Sequence, residues 1–210
     1  MDVSRPYAAV CPTLDGEVLS VLARTSRPLS GRDVSRLVER GSQGGVNRVL
    51  RRLAEQGIVD VQEAGSALLY ALNRDHLAAP AVMILDGLRA ELGRRLSEAI
   101  EAWEVLPLHA SMFGSAARGD GDTESDIDLF MVRRGEVEED DARWRGQLDD
   151  LATSVRRWTG NHAGIAEVSG RQTRRLKLEQ PPVYEDLLAH AIDLFGVPVA
   201  TILEGADRST

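Results

Sequence analysis

The chain has 210 residues, 43% hydrophobic and 28% charged, with a formal net charge of −8 and a pI near 5.1. That balance is ordinary for a soluble globular protein and argues against a chain that coats nucleic acid along its whole length. The single Cys11 excludes an internal disulfide and a cysteine metal cluster, and no apolar run approaches the length of a membrane span.

No basic-then-apolar leader opens the chain, so a cytoplasmic protein is expected. The charge is segregated. From Arg24 to Arg52 there are eight Arg against Asp33 and Glu39, whereas from Asp120 to Asp150 there are twelve acids against four Arg. A basic end and an acidic end suggest two parts with different partners.

In chain order, Leu14, Val18, Val21 and Leu22 make one face of a helix that Pro28 interrupts. Ser30, with Asp33 three residues on, predicts the cap of a second helix buried through Val34, Leu37 and Val38 and closed by Gly41. A third helix, about 43–56, buries Val46, Val49, Leu50 and Leu53 and turns Asn47, Arg48, Arg51 and Arg52 outward, with Gly57 ending it. "IVDV", the turn "QEAGS" and "ALLYAL" then predict a hairpin.

Three helices and a two-stranded wing resemble the winged helix-turn-helix of ArsR- and MarR-type regulators. The resemblance implies that the Arg-bearing helix enters a major groove of duplex DNA. The alternative is that Arg48, Arg51 and Arg52 form a solvated face of a structural or dimerising module.

Val82, Leu85, Leu88, Leu92, Leu96, Ile100 and Trp103 predict one long helix over about 81–103. Its stripe packs either on the flanking domains or on its twin in a homodimer. The remainder predicts strands at "LHASMF", "IDLFMV" and "AGIAEV". Helices are expected at 138–159, at "TRRLKLEQ" and at "VYEDLLAHAIDLF", the last ended by Gly196. The expected organisation is a helix-turn-helix domain at 1–78, a connecting helix at 79–105 and a third domain at 106–210.

Asp126 and Asp128 stand at the mouth of the apolar run Leu129-Phe130-Met131-Val132. One residue apart on a strand, they point the same way and repel. A divalent cation removes that conflict, because Mg²⁺ takes carboxylate and phosphate oxygens. Gly114 and Ser115, at a strand-to-helix turn, supply close backbone approach and a hydroxyl for phosphates.

Gly114, Ser115, ten residues, then Asp126-Ile127-Asp128 match the G-S-x10-D-x-D pattern. "GSAARGDGDTESDIDLFMV" resembles the DNA polymerase β-like nucleotidyltransferase superfamily, closest to its minimal, antitoxin-like prokaryotic types. The resemblance spans about 106–205. It implies an α+β protein whose C-terminal domain is a small mixed sheet with helices packed on one face. It also implies Mg²⁺ (or Mn²⁺) on Asp126 and Asp128, and a nucleoside triphosphate, ATP foremost, on Gly114 and Ser115, with Ser125 beside them. Arg118 either reaches the nucleotide or anchors the loop on neighbouring acids. The superfamily's third carboxylate is assigned to Glu167, as metal ligand and general base.

Three functions are consistent with these residues: a nucleotidyltransferase acting on an acceptor hydroxyl, a DNA-binding regulator that senses nucleotide, and an antitoxin-like protein paired with a HEPN-type toxin. Of these, the transferase is the expectation.

Overall fold

A computed structural model describes residues 1–205; the last five residues of the expected third domain lie outside the described residues. The chain divides into two compact units, Arg5–Arg89 and a second made of Met1–Ser4 with Ala90–Thr210.

The first unit opens with a 3-10 turn (Pro6–Ala9) and α1 (Leu14–Ala23), followed by β1 (Leu29–Ser30), α2 (Gly31–Leu37) and α3 (Gln43–Glu55). The hairpin strands β2 (Val59–Ala64) and β3 (Ala67–Leu72) and helix α4 (Ala79–Asp86) complete it. Ser30 caps α2 as expected: its hydroxyl oxygen accepts the Asp33 N–H at 3.2 Å, and the hydroxyl donates to the Asp33 carboxylate at 2.6 Å. The helix ends at Leu37, before the expected Gly41. β1 has no periodicity to announce it, because two residues are too few. It exists because Leu29 and Ser30 pair antiparallel with Tyr70 and Leu69, giving the sheet order β1-β3-β2. Val18, Leu22, Val34, Val46, Leu50, Leu53, Tyr70 and Leu72 form the core between helices and sheet.

The single long helix expected over 81–103 is two helices. α4 ends at Asp86 and α5 (Leu88–Glu101) begins after Gly87, a residue of low helix propensity. Val82 packs on the core of the first unit, and Leu92, Leu96 and Ile100 are buried in the second.

The second unit is built on four strands: β4 (His109–Phe113), β5 (Ile127–Arg133), β6 (Ala163–Ser169) and β7 (Ile192–Gly196), in the order β6-β5-β4-β7. β5 runs antiparallel to β4 and parallel to β6. Being central, it is covered on both faces, which is why Leu129-Phe130-Met131-Val132 reads as an unbroken apolar run. Leu129 and Met131 pack on one face with α5 and α7 (Ala142–Thr159) through Leu96, Ile100, Trp144, Leu148 and Val155. Phe130 and Val132 pack on the other with α8 (Gln172–Glu179), α9 (Pro182–His190) and α10 (Val199–Glu204) through Leu176, Tyr184, Leu187, Val199 and Leu203. Helices therefore cover both faces, not the one expected.

"AHAIDLF" corrects a second expectation. The helix begun at Pro182 stops at His190, and Ile192–Gly196 is β7, paired antiparallel with β4. The free edge of β4 offers backbone hydrogen bonds that outweigh a local helical pattern.

Candidate active site

β4 stops at Phe113, and Gly114, at φ 66°, turns the chain into the short helix α6 (Gly114–Arg118), which Gly119 closes at φ 81°. Phe113 is paired across the ladder with Asp128, so the Gly-Ser turn and the second aspartate lie side by side. A Cβ on Gly114 would overlap the Asp128 carboxylate, so both the positive φ and the contact require glycine here.

Asp126 is exposed just ahead of β5, and Asp128 is half-buried two residues later on the same face. Burial raises the pKa of Asp128 above the ordinary carboxylate value, and the charges of Asp126 and of Asp186 on α9 add to the rise.

The loop into β5 is tied down from two sides. The Asp122 carboxylate accepts the Glu124 and Ser125 N–H groups at 2.9 Å and the Ser125 hydroxyl at 2.8 Å. Ser125 thus helps form the loop, its hydroxyl engaged with Asp122. Beneath it, the buried Asn161 donates to the Ser125 carbonyl at 2.9 Å and accepts from the N-terminal amine, which also donates to the Thr159 carbonyl at 2.7 Å. Asn161 thereby sets the approach of the chain to Asp126.

Glu167 is not brought to the aspartates. In the parallel register it is the partner of Met131, whereas Asp128 is the partner of Gly164. An offset of three residues places Glu167 on the opposite face of the sheet. There its carboxylate accepts from Arg133 Nε at 2.7 Å, and both side chains are largely buried, at 15% and 8% exposed. Glu167 neutralises an interior arginine, which corrects its expected role as third metal ligand and general base.

The residue that does face Asp128 from β6 is Gly164, whose Cβ would stand 2.8 Å from Asp128 Oδ1. Among the described residues, no three His, Cys, Asp or Glu side chains converge in a metal-holding arrangement.

Arg118 takes the anchoring alternative, with Nε 3.0 Å from Asp120 Oδ2 and Nη1 2.6 Å from Asp186 Oδ1. Asp186 also accepts the Gly114 N–H at 2.9 Å. Burial raises its pKa, but Arg118 and the Gly114 N–H outweigh that, so its carboxyl titrates below the usual range. Sequence reasoning missed Asp186, Asn161 and Gly164. No local signal marks them, since each matters only through elements distant in the chain.

The carboxylates of Asp126 and Asp128 at a strand end offer hard oxygen donors, a set that would suit Mg²⁺ better than a soft metal.

On the first unit, Arg48 and Arg51 are exposed on α3, whereas Arg52 pairs with Asp15 and leaves that face partly neutralised. Asn47 is half-buried with its Oδ1 against Gly31. Asn47 and Arg51, with Arg32 and Gln43, line a groove walled by Leu68 and Tyr70 of the hairpin.

Two solved structures show weak similarity. Human N-acetylserotonin methyltransferase in complex with SAM is 22% identical over 48% of this chain and 31% of its own, with a TM-score of 0.29. A toxin-antitoxin complex with AMP-PNP is 14% identical over 54% of this chain and 82% of its own, with a TM-score of 0.34. This chain thus spans about a third of the methyltransferase, and similarity at this level carries no argument about fold or ligand. Comparison with curated proteins gives no match. The match that covers the site is to a domain family: residues 94–202, just over half the chain, fit the nucleotidyltransferase domain and contain Gly114, Ser115, Asp126 and Asp128. The chain belongs to the nucleotidyltransferase domain family.

Proposed function

We propose that this protein transfers a nucleoside monophosphate from a Mg²⁺-bound nucleoside triphosphate, ATP foremost, to an acceptor hydroxyl. The observation that carries the reading is the ladder pairing of Phe113 with Asp128, which sets the Gly-Ser turn against the two-aspartate strand end. The acceptor oxygen forms a bond to the α-phosphorus, the α–β bridging bond breaks, pyrophosphate leaves with that electron pair, and the acceptor proton passes to solvent or a base.

Asp126 and Asp128 would hold the metal, which when bound supplies charge neutralisation for the phosphates. Gly114 admits the phosphates to the backbone, Ser115 offers a hydroxyl, and the Asn161–Ser125 bond keeps Asp126 in place. Incubation with α-labelled ATP, Mg²⁺ and a cell lysate tests this: label should reach a macromolecule with the wild type and not with Asp126→Asn.

A second reading, a nucleotide-sensing regulator with little transfer, is favoured by Gly164. The strand position opposite Asp128 carries no acid to activate a hydroxyl. Label transfer above background excludes it.

The N-terminal unit is read as a winged helix-turn-helix acting on duplex DNA. Its support is the order of three helices and a hairpin, together with the exposed Arg48 and Arg51 beside a groove that also holds Arg32.

A further inference from the structure

The Gly-Ser turn is proposed above as the place for phosphates, yet its first backbone donor and the cation beside it are already engaged. The Gly114 N–H points at Asp186 Oδ2, 2.9 Å away, and the Arg118 guanidinium lies 2.6 Å from Asp186 Oδ1. The two oxygens of one carboxylate thus take one backbone donor and one cationic donor, as two oxygens of a phosphate would. His190, one helical turn further along α9, has its Nδ1 3.4 Å from the same Oδ1.

We infer that Asp186 is a resident competitor for phosphate at this turn, and that a nucleotide binds by displacing its carboxylate from the Gly114 N–H and Arg118. This rests on the nucleotide reading of the turn given above.

Three observations carry it. Asp186 comes from α9, an element distant in sequence from the motif, so its place there follows from the packing of α9 and not from the local turn. α9 is fixed on the sheet by Tyr184 and Leu187, both buried, so the helix cannot withdraw and the exchange is a side-chain movement. Asp128 stands against the same glycine, so a third negative group entering with Asp186 still in place meets two carboxylates.

The consequence is a threshold. Carboxylate and phosphate oxygens both accept strong charge-assisted hydrogen bonds, so a ligand wins only by bringing more charge than the acid it replaces. A magnesium-complexed polyphosphate meets that condition, whereas a nucleoside does not. Asp186 therefore acts as a specificity-determining residue that favours triphosphate over less charged ligands.

The test is calorimetric titration of the full chain with magnesium tripolyphosphate, which has no base or sugar to bind elsewhere. Asp186→Asn removes the competing charge at constant shape. It should bind at least about tenfold more tightly than wild type, the change expected when one charge-assisted hydrogen bond no longer has to be broken. Asp186→Glu keeps the charge and should stay within about threefold of wild type on the same reasoning. Equal or weaker binding by a folded Asp186→Asn protein overturns the inference and leaves the nucleotide reading standing.

Absence of binding in the wild type and in both variants overturns the nucleotide reading, and the inference with it. Should Asp186→Asn fail to fold, the wild type decides the matter. In its structure with magnesium tripolyphosphate, the Gly114 N–H must donate to phosphate, and a complex in which it still donates to Asp186 refutes the exchange.

Discussion

Replacing Asp128 by Asn separates the electrostatics of the strand end from its packing. The wild-type carboxylate is half-buried, with the charges of Asp126 and Asp186 near it, and these together raise its pKa. For an acid with a raised folded pKa, the native state binds more protons than the unfolded state between the two pKa values. Stability therefore falls as pH rises through that window. At pH 7 the ionised Asp128 destabilises the fold. Like charges about 6.5 Å apart, two residues along a strand, repel by roughly 1 kcal/mol at an effective dielectric between about 40 and 80, the screened range suited to a partly exposed pair.

Asp128→Asn should thus unfold about 1 kcal/mol later at pH 7, or roughly 2–4 °C in Tm for a domain of this size. The gain should vanish below the ordinary carboxylate value of 3.8, where both side chains are neutral. It should also shrink in high salt. The same variant should lose the stabilisation that Mg²⁺-ATP confers on the wild type by mass action, about 2.7 kcal/mol at a hundredfold excess over Kd. Urea melts at pH 3.5 and 7, with and without Mg²⁺-ATP, read both effects. A variant less stable than wild type at pH 7, or one that keeps the nucleotide shift, refutes the reasoning.

Glu167→Gln should cost about 2 kcal/mol by removing the ionised acceptor of the interior Arg133 Nε–H bond, while Mg²⁺-ATP binding stays unchanged. Loss of binding at full stability in a calorimetric titration would return Glu167 to the site. Asn161→Ala should cost roughly 1–3 kcal/mol through the orphaned Ser125 carbonyl and lower label transfer by loosening Asp126. An unchanged urea midpoint would show that the loop holds itself. Replacing Arg48 and Arg51 together by Ala should flatten the salt dependence of binding to the protein's own upstream DNA by about 1.8 in log–log slope if both touch phosphate. Equal slopes for wild type and variant would make the N-terminal unit a protein-docking module.

Much of the site was legible in the sequence because its parts are local. Gly114 and Ser115 follow a strand, and Asp126 and Asp128 precede an apolar run, so the motif names the turn, the strand end and their neighbourhood. Ser30 with Asp33 likewise announces its helix cap, since the bonds that make a cap span three residues. Glu167 shows the limit. Alternation along β6 assigns it a face only relative to its own strand, and which face holds the aspartates depends on the register between β5 and β6. That register pairs Gly164, not Glu167, with Asp128. The same holds for "IDLFG", which is β7 only because β4 has a free edge, and for Asp186, which meets Gly114 only because α9 packs on the sheet. Local chemistry was written in the residues; pairing, facing and the occupant of the turn were decided by contacts between segments far apart in the chain.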